Sequence, residues 1–357
     1  MPQFRTGEVT EVLVERPGLQ RVSTTQGRAY VLTQLTGTVA VGDQVVLNTT
    51  AVALGLGTGG WHVVHWNLAR TELDQPGRGH IMKLRYTSLQ ADTGAAEEDG
   101  PLPLAPGLEG LPVVACSLHS QVGAVVSAIT AERPGTRVAY VMTDGAALGL
   151  VMSDLVAGLQ ERGLLAGTVT AGHAFGGDLE AVTVASALLL ARDRFDAEAV
   201  VMGMGPGVVG TGTPTGTTAL EVAGLLDTAS WLGATPIACL RVSDSDARQR
   251  HRGVSHHTRT ALDAAFARVV VAATPSLMSE LGDVPARHRI EVVADVPDLT
   301  TVLAALDISL TTMGRGPDQE PRFFEACAAA GALAARSAEL RAGAAPTIPE
   351  WPSSSDC

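Results

Sequence analysis

Lysine is almost missing from this chain: Lys83 is the only one among 25 basic residues, so chemistry that needs a lysine amine has a single place to occur. Aromatic residues make up 4% of the sequence, which leaves few stacking platforms for single-stranded nucleic acid. The formal charge of −12 points the same way, because nucleic-acid affinity rests on clustered basic residues neutralising phosphates. Nucleic acid is therefore disfavoured as a partner. Cys116, Cys239, Cys327 and Cys357 are scattered and form no C-x-x-C pair, which excludes a disulfide framework and fits a reducing compartment. No run approaches the ~18 apolar residues of a membrane span, and the opening MPQFRTGEVTEV has no apolar signal core. These absences predict a cytoplasmic protein with no membrane contact. H-E-x-x-H, G-x-S-x-G and the P-loop pattern are also missing, which removes the familiar zinc proteases, serine hydrolases and P-loop nucleotidases.

What remains is long and apolar enough for two domains. At 357 residues and 46% apolar content, the chain exceeds the ~250–300 residues at which one core stops growing. Residues 1–68 read as short β-branched runs separated by turns, the pattern of a small closed barrel of the OB or SH3-like kind. Their charges balance, so the barrel is expected to pack on the second domain. Residues 69–110 form a linker with a polar motif, GRGHIMKLRYTSLQ, and an acidic Pro/Gly-rich segment that reads as a mobile loop. Residues 111–335 alternate apolar runs with helical patterns, the rhythm of an α/β domain with a mostly parallel sheet flanked by helices. The last of these runs, DISLTTMGRG, is a candidate final strand. Residues 336–357 read as a tail.

Polar chemistry follows the strand-like runs, and in open parallel sheets ligands bind at the carboxyl ends of the strands. The richest segment is Arg241–Thr258, RVSDSDARQRHRGVSHHT, with four Arg, two Asp and three His. Arg241, Arg248, Arg250 and Arg252 offer planar forks for phosphate or carboxylate, and of these Arg241, Arg248 and Arg252 are the expected ligands of the anion. Ser255 suits an N-cap, which puts His256 and His257 in a first helical turn where the dipole opposes protonation. Adjacent helical residues point about 100° apart, so a single metal is not expected to use both, and His251 is the natural partner for one of them. Without a ligand, the same segment reads as a solvated loop of salt bridges.

The loop GMGPGVVGTGTPTG offers backbone amides at Gly205, Gly207, Gly210, Thr211 and Gly212 as an anion cradle. Its G-x-G-x-x-G spacing is a weak dinucleotide signal, and a structural turn explains it equally well. In GHAFGGDLEAV, His173 and Asp178 read as metal ligands with His256, as an acid/base pair, or with Asp178 as a helix cap. Cys116 with His119 could pair a nucleophile with a base. Asp144, His257 and Arg315 are secondary candidates.

GHIMKLRYTSLQ, ACSLHSQ, YVMTDG, GHAFGGDLEAV, MGPGVVGTGTPTG and RQRHRGVSHHT, in this order, resemble the DUF3866 family, a bacterial family of unknown function. The resemblance implies no activity, cofactor or partner. One departure is visible: Gly149 stands where the family pattern implies proline. The residues themselves predict a hydrolase or transferase acting on a small phosphorylated or carboxylated metabolite, with His173, His251, His256 and Asp178 as catalytic candidates and a divalent metal as candidate cofactor. A non-catalytic ligand sensor is the main alternative, a nucleic-acid-binding barrel a weaker one. A homo-oligomer is left open.

Overall fold

The computed structural model describes residues 1–57, 59–100, 107–282 and 284–343. The first strands, β1 (Phe4–Arg16), β2 (Leu19–Thr24), β3 (Gly27–Leu32), β4 (Gln44–Asn48) and β5 (His62–Asn67), close into a barrel in the order 1-2-3-5-4. β3 and β5 run parallel, while the other neighbours are antiparallel. This is the Greek-key arrangement of an OB barrel. Alternation along the strands sends Val22, Val31, Val45, Leu47 and Val64 inward to a small core of their own. The barrel is tied to the second domain by Arg16 and Arg21, which reach the Asp154 carboxylate at 2.9 and 2.6 Å.

The second domain is built on eight parallel strands: β6 (Pro112–Cys116), β7 (Val138–Thr143), β8 (Gly167–Ala171), β9 (Leu179–Ala181), β10 (Ala199–Met204), β11 (Thr235–Ala238), β12 (Val270–Ala273) and β13 (Arg289–Val292). Their order in the sheet is 9-8-7-10-6-11-12-13. Every residue of β6, β7, β8 and β10 is buried, as expected of strands covered on both faces. One face packs on α1 (His119–Glu132), α2 (Asp154–Glu161), α6 (Leu299–Ala305) and α7 (Pro321–Gly343). The other packs on α3 (Val184–Phe195), α4 (Glu221–Trp231) and α5 (His256–Ala264).

Several local readings need correction. In α1, Gln121 to Ile129 are buried all round, because the alanine-rich α7 lies along the outer side. The approach is close enough that a Cβ on Gly331 would meet the Val125 carbonyl oxygen at 2.8 Å. Leu179–Ala181 is an edge strand, and the following helix starts at Val184 with Thr183 as its cap, so Asp178 caps no helix. Residues 307–316 form a loop closed by a Thr312–Arg315 bridge, not a strand. The acidic linker is held rather than free where it is described: Ala91–Asp92 pairs with Met82–Lys83, and Glu97 accepts the Val182 amide at 2.8 Å. Its residues 101–106 lie outside the described residues. The tail expected from residue 336 begins as the end of α7, and 344–357 lie outside the described residues. Among the described residues, no helix is long and apolar enough to cross a membrane.

Candidate functional site

Strand order decides where ligands gather. The chain leaves β6 for β7 through α1 on one face, and leaves β11 for β12 through α5 on the other, so the winding reverses around the neighbouring strands β10, β6 and β11. Such a reversal opens a crevice at the carboxyl edge. A cavity of about 90 Å³ lies there, lined by Val208–Gly212 after β10, by Arg241, Arg248, Arg250, His251 and His257 after β11, and by Met313.

The arginine side of the cavity is shaped locally. Beyond β11, Val242–Ser243 pairs antiparallel with Gly253–Val254, and residues 244–252 form the loop between them. Asp246 organises this loop by accepting the Arg248 amide at 2.9 Å and both Nε and Nη2 of its side chain at 2.9 and 2.8 Å. The bond from Arg248 holds the Asp246 carboxyl well below the usual carboxylate range. Arg241 lies 3.6 Å from the same carboxylate, and its own pKa, lowered by burial and by Arg248 to about 10, leaves it charged at neutral pH. Arg250 has no carboxylate partner among the described residues, and its guanidinium lies beside Gly212. Three guanidiniums thus face one carboxylate.

Ser255 caps α5 by accepting the His257 amide at 3.3 Å. Burial, reinforced by the nearby arginines, lowers His251 to about 3 and His257 to about 4, and burial lowers His256 as well. All three rings are neutral at physiological pH. Hydrogen bonding also assigns one tautomer. Arg241 Nη1 donates to Nδ1 of His257 at 3.1 Å. The Ser255 hydroxyl, which accepts the His257 amide, also lies 2.8 Å from Nδ1 of His251. With Arg241 donating to Nδ1, the His257 ring carries its proton on Nε2 and acts as a donor. His256 Nε2 is buried without a partner.

Across the cavity, the glycine loop is a hairpin stitched to itself. Thr211 donates its amide to the Gly216 carbonyl at 2.7 Å, and Thr218 donates to Val209 at 3.0 Å. The Gly210 and Gly212 amides find no acceptor among the described residues, which leaves them available to a ligand. Gly212 sits at φ +153, a conformation that favours glycine. Gly205 serves packing, since a Cβ there would come 2.5 Å from the Ala147 carbonyl oxygen. α4 begins only at Glu221, beyond the hairpin, so no helix N-terminus abuts the glycines as a dinucleotide site requires. Gly207 lines a neighbouring cavity of about 350 Å³ together with His119.

The structure does not bring all the expected residues together. His173 follows β8, four strand spacings from β11, roughly 19 Å away across the sheet. Its ring accepts the Leu84 amide at 3.1 Å and lies 3.3 Å from Arg85. Asp178 sits at the opposite end of the same strand, accepting the Thr168 amide and hydroxyl at 2.8 and 2.9 Å, roughly 10 Å of strand rise below the turn that carries His173. His173, Asp178 and His256 therefore cannot share a metal, nor can the first two act as an acid/base pair. The described residues that could hold one are His251, His256 and His257, whose donor atoms lie within 4.8 Å of one another. Their rings meet despite the angular step between adjacent helical positions, with centroids 4.4 Å apart for His256 and His257. The hydrogen bonding opposes a cation, because a metal on His257 must either displace Arg241 from Nδ1 or leave a ring proton facing a guanidinium.

Other candidates have structural work. Arg252 holds the Asp246 carbonyl at 3.0 Å and does not line the cavity. Arg315 is paired at 2.7 Å with Glu320, a fully buried carboxylate that also accepts Ser243. Cys116 is buried beside Cys239, and the hydrogen bonds of His119 go to Met204, Ser153 and Tyr140 instead. His119 bridges the Met204 carbonyl and Ser153 Oγ at 3.2 and 2.6 Å, and burial lowers it to about 4. Asp144 accepts the His173 amide at 3.1 Å, a turn role. Lys83 is buried against Glu180 at 2.7 Å and two carbonyls. A larger cavity of about 620 Å³ between barrel and linker is lined by Asp92, Asp178 and Glu180, but these carboxylates already serve Gly94, Thr168 and Lys83.

Sequence reasoning missed Glu221. It is the first residue of α4, its carboxylate accepts Thr143 Oγ1 at 2.6 Å, and burial raises it to about 7. Thr143 is 78 residues away, and no local pattern marks the pair.

Fold and site together define an α/β protein with an N-terminal OB barrel and a donor-lined cavity at the winding reversal of its sheet. Residues 28–331 match DUF3866, described as a protein of unknown function, and the chain belongs to that family. No curated protein and no solved structure matches it.

Proposed function

We propose that this protein binds a compact anionic metabolite in the cavity between the Gly210–Gly212 amides and the arginine loop, and acts on it as a hydrolase or transferase. The observation that carries this reading is the donor excess: three guanidiniums against the single carboxylate of Asp246, with Arg250 unpartnered among the described residues. His257 adds an Nε2 donor, and His251, the other imidazole of the lining, is the group placed to exchange a proton with the bound ligand. The cysteines, buried and unpaired where described, suit work in a reducing cytoplasm.

A thermal-shift titration with inorganic phosphate tests the proposal. A ligand at 100 times its Kd adds about 2.7 kcal/mol of stability. The shift should vanish in Arg250→Ala and persist in Arg252→Ala. No shift with phosphate or any small phosphomonoester, or an undiminished shift in Arg250→Ala, refutes it. Binding without turnover favours a second reading, a ligand sensor. One connection supports that reading: His119 beside the neighbouring cavity bonds Ser153, and the next residue, Asp154, holds the barrel arginines.

A further inference from the structure

The 90 Å³ cavity does not stand alone. It shares Val208 and Met313 with the 350 Å³ cavity beside it, so the two adjoin at the carboxyl ends of the strands. Their chemistry differs sharply. The small compartment presents Arg241, Arg248 and Arg250 against Asp246, a formal charge of three less one. The large one contains no Arg, Lys, Asp or Glu, and offers the hydroxyls of Ser120, Ser309, Thr311 and Thr312 among leucines such as Leu155 and Leu310.

We infer that the ligand is a phosphomonoester of an uncharged, hydroxyl-bearing body, with its phosphoryl group in the arginine compartment and its sugar-like or nucleoside-like body in the hydroxyl-lined compartment. This rests on the anion-binding reading above and narrows it. A phosphomonoester dianion matches the net charge of the small compartment. Its three terminal oxygens accept more hydrogen bonds than the two of a carboxylate, in keeping with the guanidinium, imidazole and amide donors that converge there. A body bearing further charges would enter the larger compartment without a partner, and leaving a charge unpaired on burial is unfavourable. A purely apolar body would leave the threonine and serine hydroxyls of the wall unmatched.

Isothermal titration with inorganic phosphate, a hexose 6-phosphate, a nucleoside 5′-monophosphate and the unphosphorylated hexose tests this directly. The expected result is that at least one of the two phosphomonoesters binds tenfold or more tighter than phosphate, while the free hexose does not bind. Ser309→Trp, a substitution at an exposed position of the large compartment, should abolish that advantage and leave phosphate affinity unchanged. Arg250→Ala should weaken phosphate and ester alike. If phosphate binds and neither ester binds more tightly, or if Ser309→Trp leaves the advantage intact, the two-compartment inference is overturned while the anion reading stands. If neither phosphate nor ester binds, the anion reading itself fails and takes the inference with it.

Discussion

Replacing Glu221 by glutamine should flatten the pH dependence of stability between about pH 5 and pH 8. The Glu221 carboxylate is enclosed at the start of α4, with Gly145 packed so closely that a Cβ there would come 2.4 Å from its Oε2. Burial is the main reason its pKa rises to about 7; the Asp144 charge adds to the rise, and the Thr143 hydrogen bond opposes it. A helix N-terminus favours a carboxylate, yet here burial wins. The native state therefore holds this proton more tightly than the unfolded chain, where a glutamate titrates near 4.3. Stability contributed by the protonated form is fully present below that unfolded value and is lost as pH rises through about 7. At about 1.4 kcal/mol for each tenfold change in proton affinity, the loss is about 4 kcal/mol, or roughly 8–16 °C in Tm for a domain of this size. Glutamine keeps an acceptor for the Thr143 hydroxyl and carries no charge. Melting curves of both proteins from pH 5 to 8.5 should diverge steadily, with Glu221→Gln the more stable above pH 8. Other titrating groups are common to both and cancel. Parallel curves, with no growing gap, would refute the assignment.

Lys83→Met should destabilise the α/β domain by about 3–5 kcal/mol, because it leaves Glu180 buried beside an apolar chain; urea unfolding of Lys83→Met and of Lys83→Met/Glu180→Gln should show the double variant recovering part of the loss, and a single variant as stable as wild type refutes the account. Gly149→Pro should raise stability by about 0.4–1 kcal/mol, since Gly149 already sits at φ −80 and its amide donates to nothing among the described residues; a lower unfolding midpoint would contradict it.

The βα rhythm was legible because parallel strands buried on both faces must be written as continuous apolar runs, VAYVMT in β7 and AVVMGM in β10 among them. The carboxyl ends of those runs could be marked from the sequence, and Arg241, His119, His173 and the glycine loop were marked there. Which ends stand side by side could not. That depends on strand order, and the order depends on crossovers whose hand and length leave no trace in any single run. His173 was thus grouped with His256, although β8 and β11 are separated by three other strands. Pairs such as Lys83 with Glu180 and Thr143 with Glu221 close the same kind of gap.

The arginine loop was readable for the opposite reason: its geometry is made by neighbours. Asp246 recruits Arg248 two residues on, and Ser255 caps the helix that carries His257. The misassigned arginine shows where local reading stops. Arg250 and Arg252 are chemically equivalent on paper, but Arg250 lines the cavity while Arg252 turns back onto the Asp246 carbonyl at 3.0 Å. Directly after Arg252 the chain returns at Gly253, at φ +63, into the pairing with Val242–Ser243. Arg250 is thus offered to a ligand while Arg252 braces the loop. That makes Arg250, rather than any of the more conspicuous histidines, the residue on which the reading of this site turns.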